Sequence, residues 1–311
     1  MSDGSAHLPR TFAERLRAGR FVMTAEVAPP VSCDAQDLLR KATPLRGLAD
    51  AVNVTDGAGA RAHMAALAAA SILLSAGIEP ILQITCRDKN RIALQSELMG
   101  AAALGIRNVM VLTGDDPKAG DQPDTKPVFD IDSKTLLETA RRLRDDGKLP
   151  TGREVAGKAA FFLGAADLPI DPPADWQPSS LRGKVAAGAQ FVQTQFCMDA
   201  ALVRRYVGAL AAAGLTRQLA ILIGINPLRS AKSAQWMKSH LHGTIIPDAF
   251  IARMEKAANP VREGTRICME LIDELATIPG VAGVHIMAPG NDAAIPEVIA
   301  EARERVQKAA V

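Results

Sequence analysis

The side chains best suited to chemistry in this chain are acids and amides that interrupt apolar runs. Glu26 stands near the end of Phe21-Val-Met-Thr-Ala-Glu-Val-Ala-Pro-Pro30, a β-rich segment that the proline pair must terminate. A carboxylate on a buried strand is costly unless paired, and burial disfavours its charged form. Glu26 is therefore either a working acid or base, or a loop cap paired with an arginine. Asp115 follows a second apolar run within Thr-Gly-Asp-Asp-Pro, which also reads as an ordinary turn. Together the two carboxylates could divide acid and electrostatic roles. Further runs end in Asn53 and Thr55, Gln83 and Thr85, Gln193 and Gln195, Asn226, and His285. Each has a dull reading as turn chemistry or, for His285, as a satisfied core imidazole. Only a fold that brings strand ends to one rim gives them a common purpose.

Other chemistries find no foothold. The chain has no G-x-S-x-G and no H-E-x-x-H, and His63, His240, His242 and His285 lie in unrelated stretches. Cys33, Cys86, Cys197 and Cys268 form no C-x-x-C pair, which argues against a zinc site or a disulfide framework. The formal charge of +2, from 36 basic and 34 acidic side chains, offers no basic surplus, so nucleic acid is not an expected partner. No N-terminal signal pattern and no uninterrupted apolar stretch of membrane-spanning length occur, so no membrane span is expected and a cytoplasmic location is.

The elements that would position these residues alternate without a break. Apolar strands are expected at 21–27, 50–55, 79–85, 108–112, 159–165, 191–195, 219–224 and 281–287. Helices follow at 34–46, 63–75, 90–104, 133–146, 179–187, 199–213 and 230–239, with a pair at 248–257 and 260–277 and a last helix at 296–308. Two long loops, 116–129 and 167–178, are rich in Asp and Pro. At 311 residues, with 48% hydrophobic side chains, this predicts one α/β domain, a single closed (β/α)8 barrel of the TIM type. Residues 1–15 are expected to be a mobile segment and 16–311 the barrel. A doubly wound open sheet is the runner-up, disfavoured by Pro29-Pro30 where a dinucleotide fold carries G-x-G-x-x-G. In a barrel the polar strand ends converge at the C-terminal mouth.

The order and spacing of several motifs resemble one family. They are Ala25-Glu26 before Pro29-Pro30, Val54-Thr55-Asp56-Gly57-Ala58, Thr85-Cys86, and Gly105-Ile106 ahead of Leu112-Thr113-Gly114-Asp115. Then come Lys184-Val185 before Ala187-Gly188-Ala189, Thr194-Gln195-Phe196, and Gly224-Ile225 before Pro227. From residue 21 to about 300 the chain resembles the methylenetetrahydrofolate reductases. The resemblance implies a barrel in which NADH or NADPH reduces FAD, and the hydride passes on to the one-carbon unit of folate, yielding 5-methyltetrahydrofolate or running in reverse. It implies tetrahydrofolate derivatives as ligands and allows a homo-oligomer; no regulatory domain is expected within these 311 residues.

The resemblance also assigns roles. Glu26 would be the general acid that assists opening of the methylene-folate ring, and Asp115 would stabilise the resulting cation beside flavin and pterin. Gln195 would hydrogen-bond the pterin. Thr55, Gln83, Asp115, Phe129, Ala165 and Lys184 would hold the flavin, Lys184 as a charge toward its phosphates. The chain departs from the family pattern at Gln83 (often His), Thr113 (Arg), Phe129 (Tyr), Gln177 (Asp) and Ala231 (an aromatic). The loops 126–132 and 167–178 suggest a divergent branch. A flavin-independent reductase with direct hydride transfer, and a non-catalytic barrel that binds folate or a partner, remain open alternatives.

Overall fold

The structure, a computed structural model, describes residues 11–309. Eight strands pair in chain order: β1 (Val22–Val27), β2 (Ala51–Val54), β3 (Pro80–Thr85), β4 (Asn108–Leu112), β5 (Phe162–Asp167), β6 (Phe191–Phe196), β7 (Ala220–Ile225) and β8 (Val281–Ile286). All pairings are parallel, and β8 returns to β1 in the register Val22↔Gly283 and Thr24↔His285. The expected closed (β/α)8 barrel is the fold, and closure leaves the sheet no edge.

Alternation along each strand divides the side chains between two cores. In β1, Met23, Ala25 and Val27 join the large apolar layer between sheet and helices, whereas Val22 turns inward. That outer layer is covered by helices, α3 (Ala66–Ser75) among them. Asp34 caps α2 (Ala35–Ala42), Asn90 caps α4 (Arg91–Ala103), Asp132 caps α5 (Ser133–Asp145) and Asp199 caps α7 (Ala200–Ala212), each side chain accepting from a backbone N–H of the first turn.

Two expectations shift. Within the segment 1–15, residues 1–10 lie outside the described residues, but Thr11 and Glu14 form a capping box that starts a helix, α1 (Phe12–Arg17). Phe12 is fully buried, its ring 5.8 Å from Phe162 and 5.2 Å from Phe191 in edge-on contacts. Its backbone N–H donates to both Glu79 oxygens, at 3.1 and 3.0 Å. This helix thus plugs the N-terminal end of the barrel. The other shift is in β5, expected at 159–165 and observed at Phe162–Asp167. The apolar run is longer than the strand, which pairs Gly164 with Phe191 of β6 and stacks the Phe162 ring 5.2 Å from that of Phe191. A Cβ on Gly164 would lie 2.2 Å from the Phe191 ring, so only glycine fits beside it.

Candidate active site at the C-terminal mouth

Glu26 sits at the C-terminal end of β1, beside Asn53 of β2 in the ladder. Its side chain is 24% exposed. Gln83 of β3 donates from Nε2 to Glu26 Oε2 at 3.3 Å, and His285 Nε2 of β8 approaches the same oxygen at 3.6 Å. Asp292, in the loop after β8, also feels this carboxylate. The surrounding protein, and to a lesser degree the charge of Glu26, raise the Asp292 carboxyl above its ordinary value against the pull of Lys41.

Below Glu26 the barrel interior is polar and closely tied. Asn53 and Gln193 exchange hydrogen bonds across the barrel, Asn53 Nδ2 donating to Gln193 Oε1 at 2.6 Å and Gln193 Nε2 to Asn53 Oδ1 at 3.1 Å. Gln193 Nε2 also donates to Thr24 Oγ1 at 3.0 Å, and Thr24 Oγ1 lies 3.0 Å from His285 Nδ1. All four side chains are buried.

Around the rim, loops are fastened to one another. Asp56 accepts from the backbone N–H and hydroxyl of Thr85 at 2.9 and 3.0 Å, and from Lys89 at 3.0 Å, so this acid of the Val-Thr-Asp-Gly-Ala motif holds the turn after β2. Arg87, buried in the loop after β3, grips Asp88 through two N–H groups and donates to the carbonyls of Gly57 (3.1 Å) and Asp115 (3.4 Å). A Cβ on Gly57 would meet Arg87 Nη2 at 2.1 Å, which explains a glycine there. Asp115 is exposed, and its Oδ2 accepts from Gly59 N–H at 2.9 Å. A cleft of about 280 Å³ opens here, lined in part by Asp56, Gly57, His63 and Arg87.

The residues proposed to hold a flavin divide into two groups. Thr55 is buried just past the end of β2, and its Oγ1 has no hydrogen-bond partner. Phe129 is 41% exposed and held at φ +40°, a left-handed conformation that is strained for a phenylalanine. Gln83 and Asp115 stand at the same mouth. Lys184 of α6 (Ser179–Ala186) is differently placed: its Nζ donates to the Ala166 carbonyl at 2.6 Å and to Asp167 Oδ1 at 3.2 Å. Asp167 also receives the Tyr206 hydroxyl, and burial with this neighbouring charge pushes the tyrosine far above its ordinary value. Ala165 is buried mid-strand in the outer layer, so its side chain faces the helices. Gln195 donates to the His242 carbonyl at 3.3 Å and accepts from Phe196 N–H at 3.0 Å. Of the departures, Thr113 and Gln177 are exposed and Ala231 opens α8 (Ala231–His240).

Sequence reasoning missed Thr24, Arg87 and Asp167. Thr24 had a signal, since it lies two positions before Glu26 on the same strand face. Asp167 was concealed by the misjudged end of β5, and Arg87 by its place in a loop.

Comparison with known proteins bears on the fold and the family. The family model described as methylenetetrahydrofolate reductase matches residues 11–303. A Caenorhabditis elegans protein named "Probable methylenetetrahydrofolate reductase (NADPH)" is 25% identical over 241 residues, 74% of this chain; the chain spans only 33% of that protein's length. An uncharacterized protein from Clostridium thermocellum that binds two copies of 5-methyl-5,6,7,8-tetrahydrofolic acid superposes with a TM-score of 0.65 at 12% identity, covering 94% of this chain and 98% of its own. DmoA from Hyphomicrobium sulfonivorans gives 0.55 at 13% identity over 92% and 88%. At such identities the structural likenesses speak to the fold. The family match over almost the whole described chain goes further: this protein belongs to the methylenetetrahydrofolate reductase family.

Proposed function

We propose that this protein interconverts 5,10-methylenetetrahydrofolate and 5-methyltetrahydrofolate, with NAD(P)H as the hydride donor and FAD as cofactor. The observation that carries the reading is Glu26, a carboxyl group at the barrel mouth that an amide donor holds by one oxygen and that still reaches solvent. Such a group can give its proton to the amine nitrogen that leaves as the five-membered ring opens, making the methylene carbon an iminium able to accept hydride. The balance is one hydride from NAD(P)H to carbon and one proton from the carboxyl to nitrogen. Asp115, on the neighbouring rim, supplies negative charge toward that cation. Gln195, with its amide at the β6 end, is suited to the polar edge of a pterin.

Four of the residues that would hold a flavin suit the cofactor chemically: Thr55 offers a buried, unpartnered hydroxyl, Phe129 an exposed aromatic, and Gln83 and Asp115 polar groups. When bound, the flavin supplies a two-electron relay between nicotinamide and folate. One observation favours a second reading. Lys184 is already neutralised by Asp167, and residue 113 is Thr rather than a cation, which leaves little charge for the flavin's phosphates and suits direct transfer from nicotinamide to folate. The visible spectrum of the purified protein, followed by assay of methylene-folate reduction with NADH and NADPH, tests both. Flavin absorbance that copurifies or appears on adding FAD, with turnover, supports the first reading. A colourless protein that turns over without flavin supports the second, and one with no turnover under either condition refutes the proposed activity.

A further inference from the structure

The polar chain inside the barrel has a direction, and the direction ends on Glu26. Gln193 accepts at Oε1 from Asn53, so its Nε2 is the donor end, and its two protons go to Asn53 Oδ1 and Thr24 Oγ1. The Thr24 hydroxyl, accepting there, has one proton of its own to give. Two acceptors lie within reach, His285 Nδ1 at 3.0 Å and the Val284 carbonyl at 3.3 Å, and the ring nitrogen is the nearer. A neutral imidazole that accepts at Nδ1 must carry its hydrogen on Nε2. That Nε2 is buried without a hydrogen-bond partner and points at Glu26 Oε2 from 3.6 Å. Gln83 Nε2 already donates to the same oxygen.

We propose that His285 is the positioning residue for Glu26: its Nε2–H, together with Gln83, claims Oε2 and so confines the proton of the neutral carboxyl to Oε1, the oxygen left for substrate. The idea rests on the reading of Glu26 as the acid in folate reduction. A spacing of 3.6 Å is too long for a hydrogen bond, and closing it takes a shift of about 0.7 Å. A partly exposed side chain makes such a shift readily when a ligand fills the mouth, and contacts of this kind commonly tighten only in the substrate complex. The buried chain from Asn53 to Thr24 keeps the imidazole from turning to meet a different partner.

Two substitutions separate the two ring nitrogens. His285→Gln sets an amide donor near the former Nε2 and keeps the reach to Glu26. His285→Asn sets an amide carbonyl oxygen near the former Nδ1, which still accepts from Thr24, and abandons Glu26. The expected result is that His285→Asn slows methylene-folate reduction roughly 10- to 100-fold, the scale of a misplaced catalytic group, and that His285→Gln recovers most of the loss. Oxidation of NAD(P)H by an artificial electron acceptor should not distinguish the two variants. Equal losses in both, or none in either while Glu26→Gln is damaging, overturn the proposal and leave the Glu26 reading standing. If Glu26→Gln itself has no effect on folate reduction, the reading of Glu26 fails and this inference with it. A measurement without turnover completes the test. In protein labelled with 15N at histidine and free of folate, the signals that vanish in His285→Asn should show the hydrogen on Nε2. A hydrogen on Nδ1 alone would reverse the chain and overturn the proposal.

Discussion

The two halves of the barrel interior are built from the same eight strands and solve opposite problems. The N-terminal half holds Val22, Ala51, Ile81, Met110, Phe162, Phe191 and Leu222, sealed from below by Phe12. It is stabilised by transfer of apolar surface from water and by close aromatic contacts, neither of which depends on exact pairing. One step up the same strands stand Thr24, Asn53, Gln83, Gln193 and His285. Amides and hydroxyls in that position stabilise nothing unless each meets a partner, and the penalty for an unpaired one is large in a low dielectric. The comparison teaches where function resides. The apolar half offers no group that could take part in chemistry, whereas the polar half keeps Thr55 Oγ1 and His285 Nε2 without hydrogen-bond partners.

The largest effect should come from the apolar half. Phe191→Ala removes a fully buried ring that touches Phe12 and Phe162, and it should cost about 3–5 kcal/mol in urea unfolding. A loss under about 1 kcal/mol would mean that the plug is loosely packed and the contrast overstated.

Next in size is Glu26→Gln, which keeps shape and hydrogen bonding but has no carboxyl proton to give. Folate turnover should fall roughly 10²-fold or more, with NAD(P)H oxidation nearly unchanged in stopped-flow measurement of the separate half-reactions. Equal slowing of both would make Glu26 structural.

Within the polar layer, Gln193→Leu leaves the Asn53 amide and the Thr24 hydroxyl without their partner. The expected loss is about 1–3 kcal/mol of stability, although the replacement is more apolar than the original. A stabilised variant would show that the layer prefers apolar filling after all.

The smallest effect belongs to Asp115→Asn. A preorganised group in a water-excluded site contributes about 10²–10³-fold, but Asp115 is exposed and one oxygen is already bound to Gly59. Solvent screening should reduce the loss in folate turnover to about tenfold. No change would leave Asp115 a turn residue only.

By itself the sequence determined the architecture and singled out Glu26 as the candidate acid. Eight apolar runs separated by capped helices leave few alternatives to a closed parallel barrel, and a carboxylate inside the first run is conspicuous because buried strands exclude charge. Alternation even carried the clue to Thr24. What the tertiary structure alone decided is who meets whom across the barrel. Asn53 and Gln193 are 140 residues apart and Thr24 and His285 261 apart, and they meet only because strand register and closure bring opposite walls together. Asp167 meets Lys184 because β5 runs on to Asp167, and Phe12 became a plug because the barrel offered an apolar floor. Local propensity acts over a few residues, whereas these partnerships depend on the shear and closure of the whole sheet, which no single stretch of chain encodes.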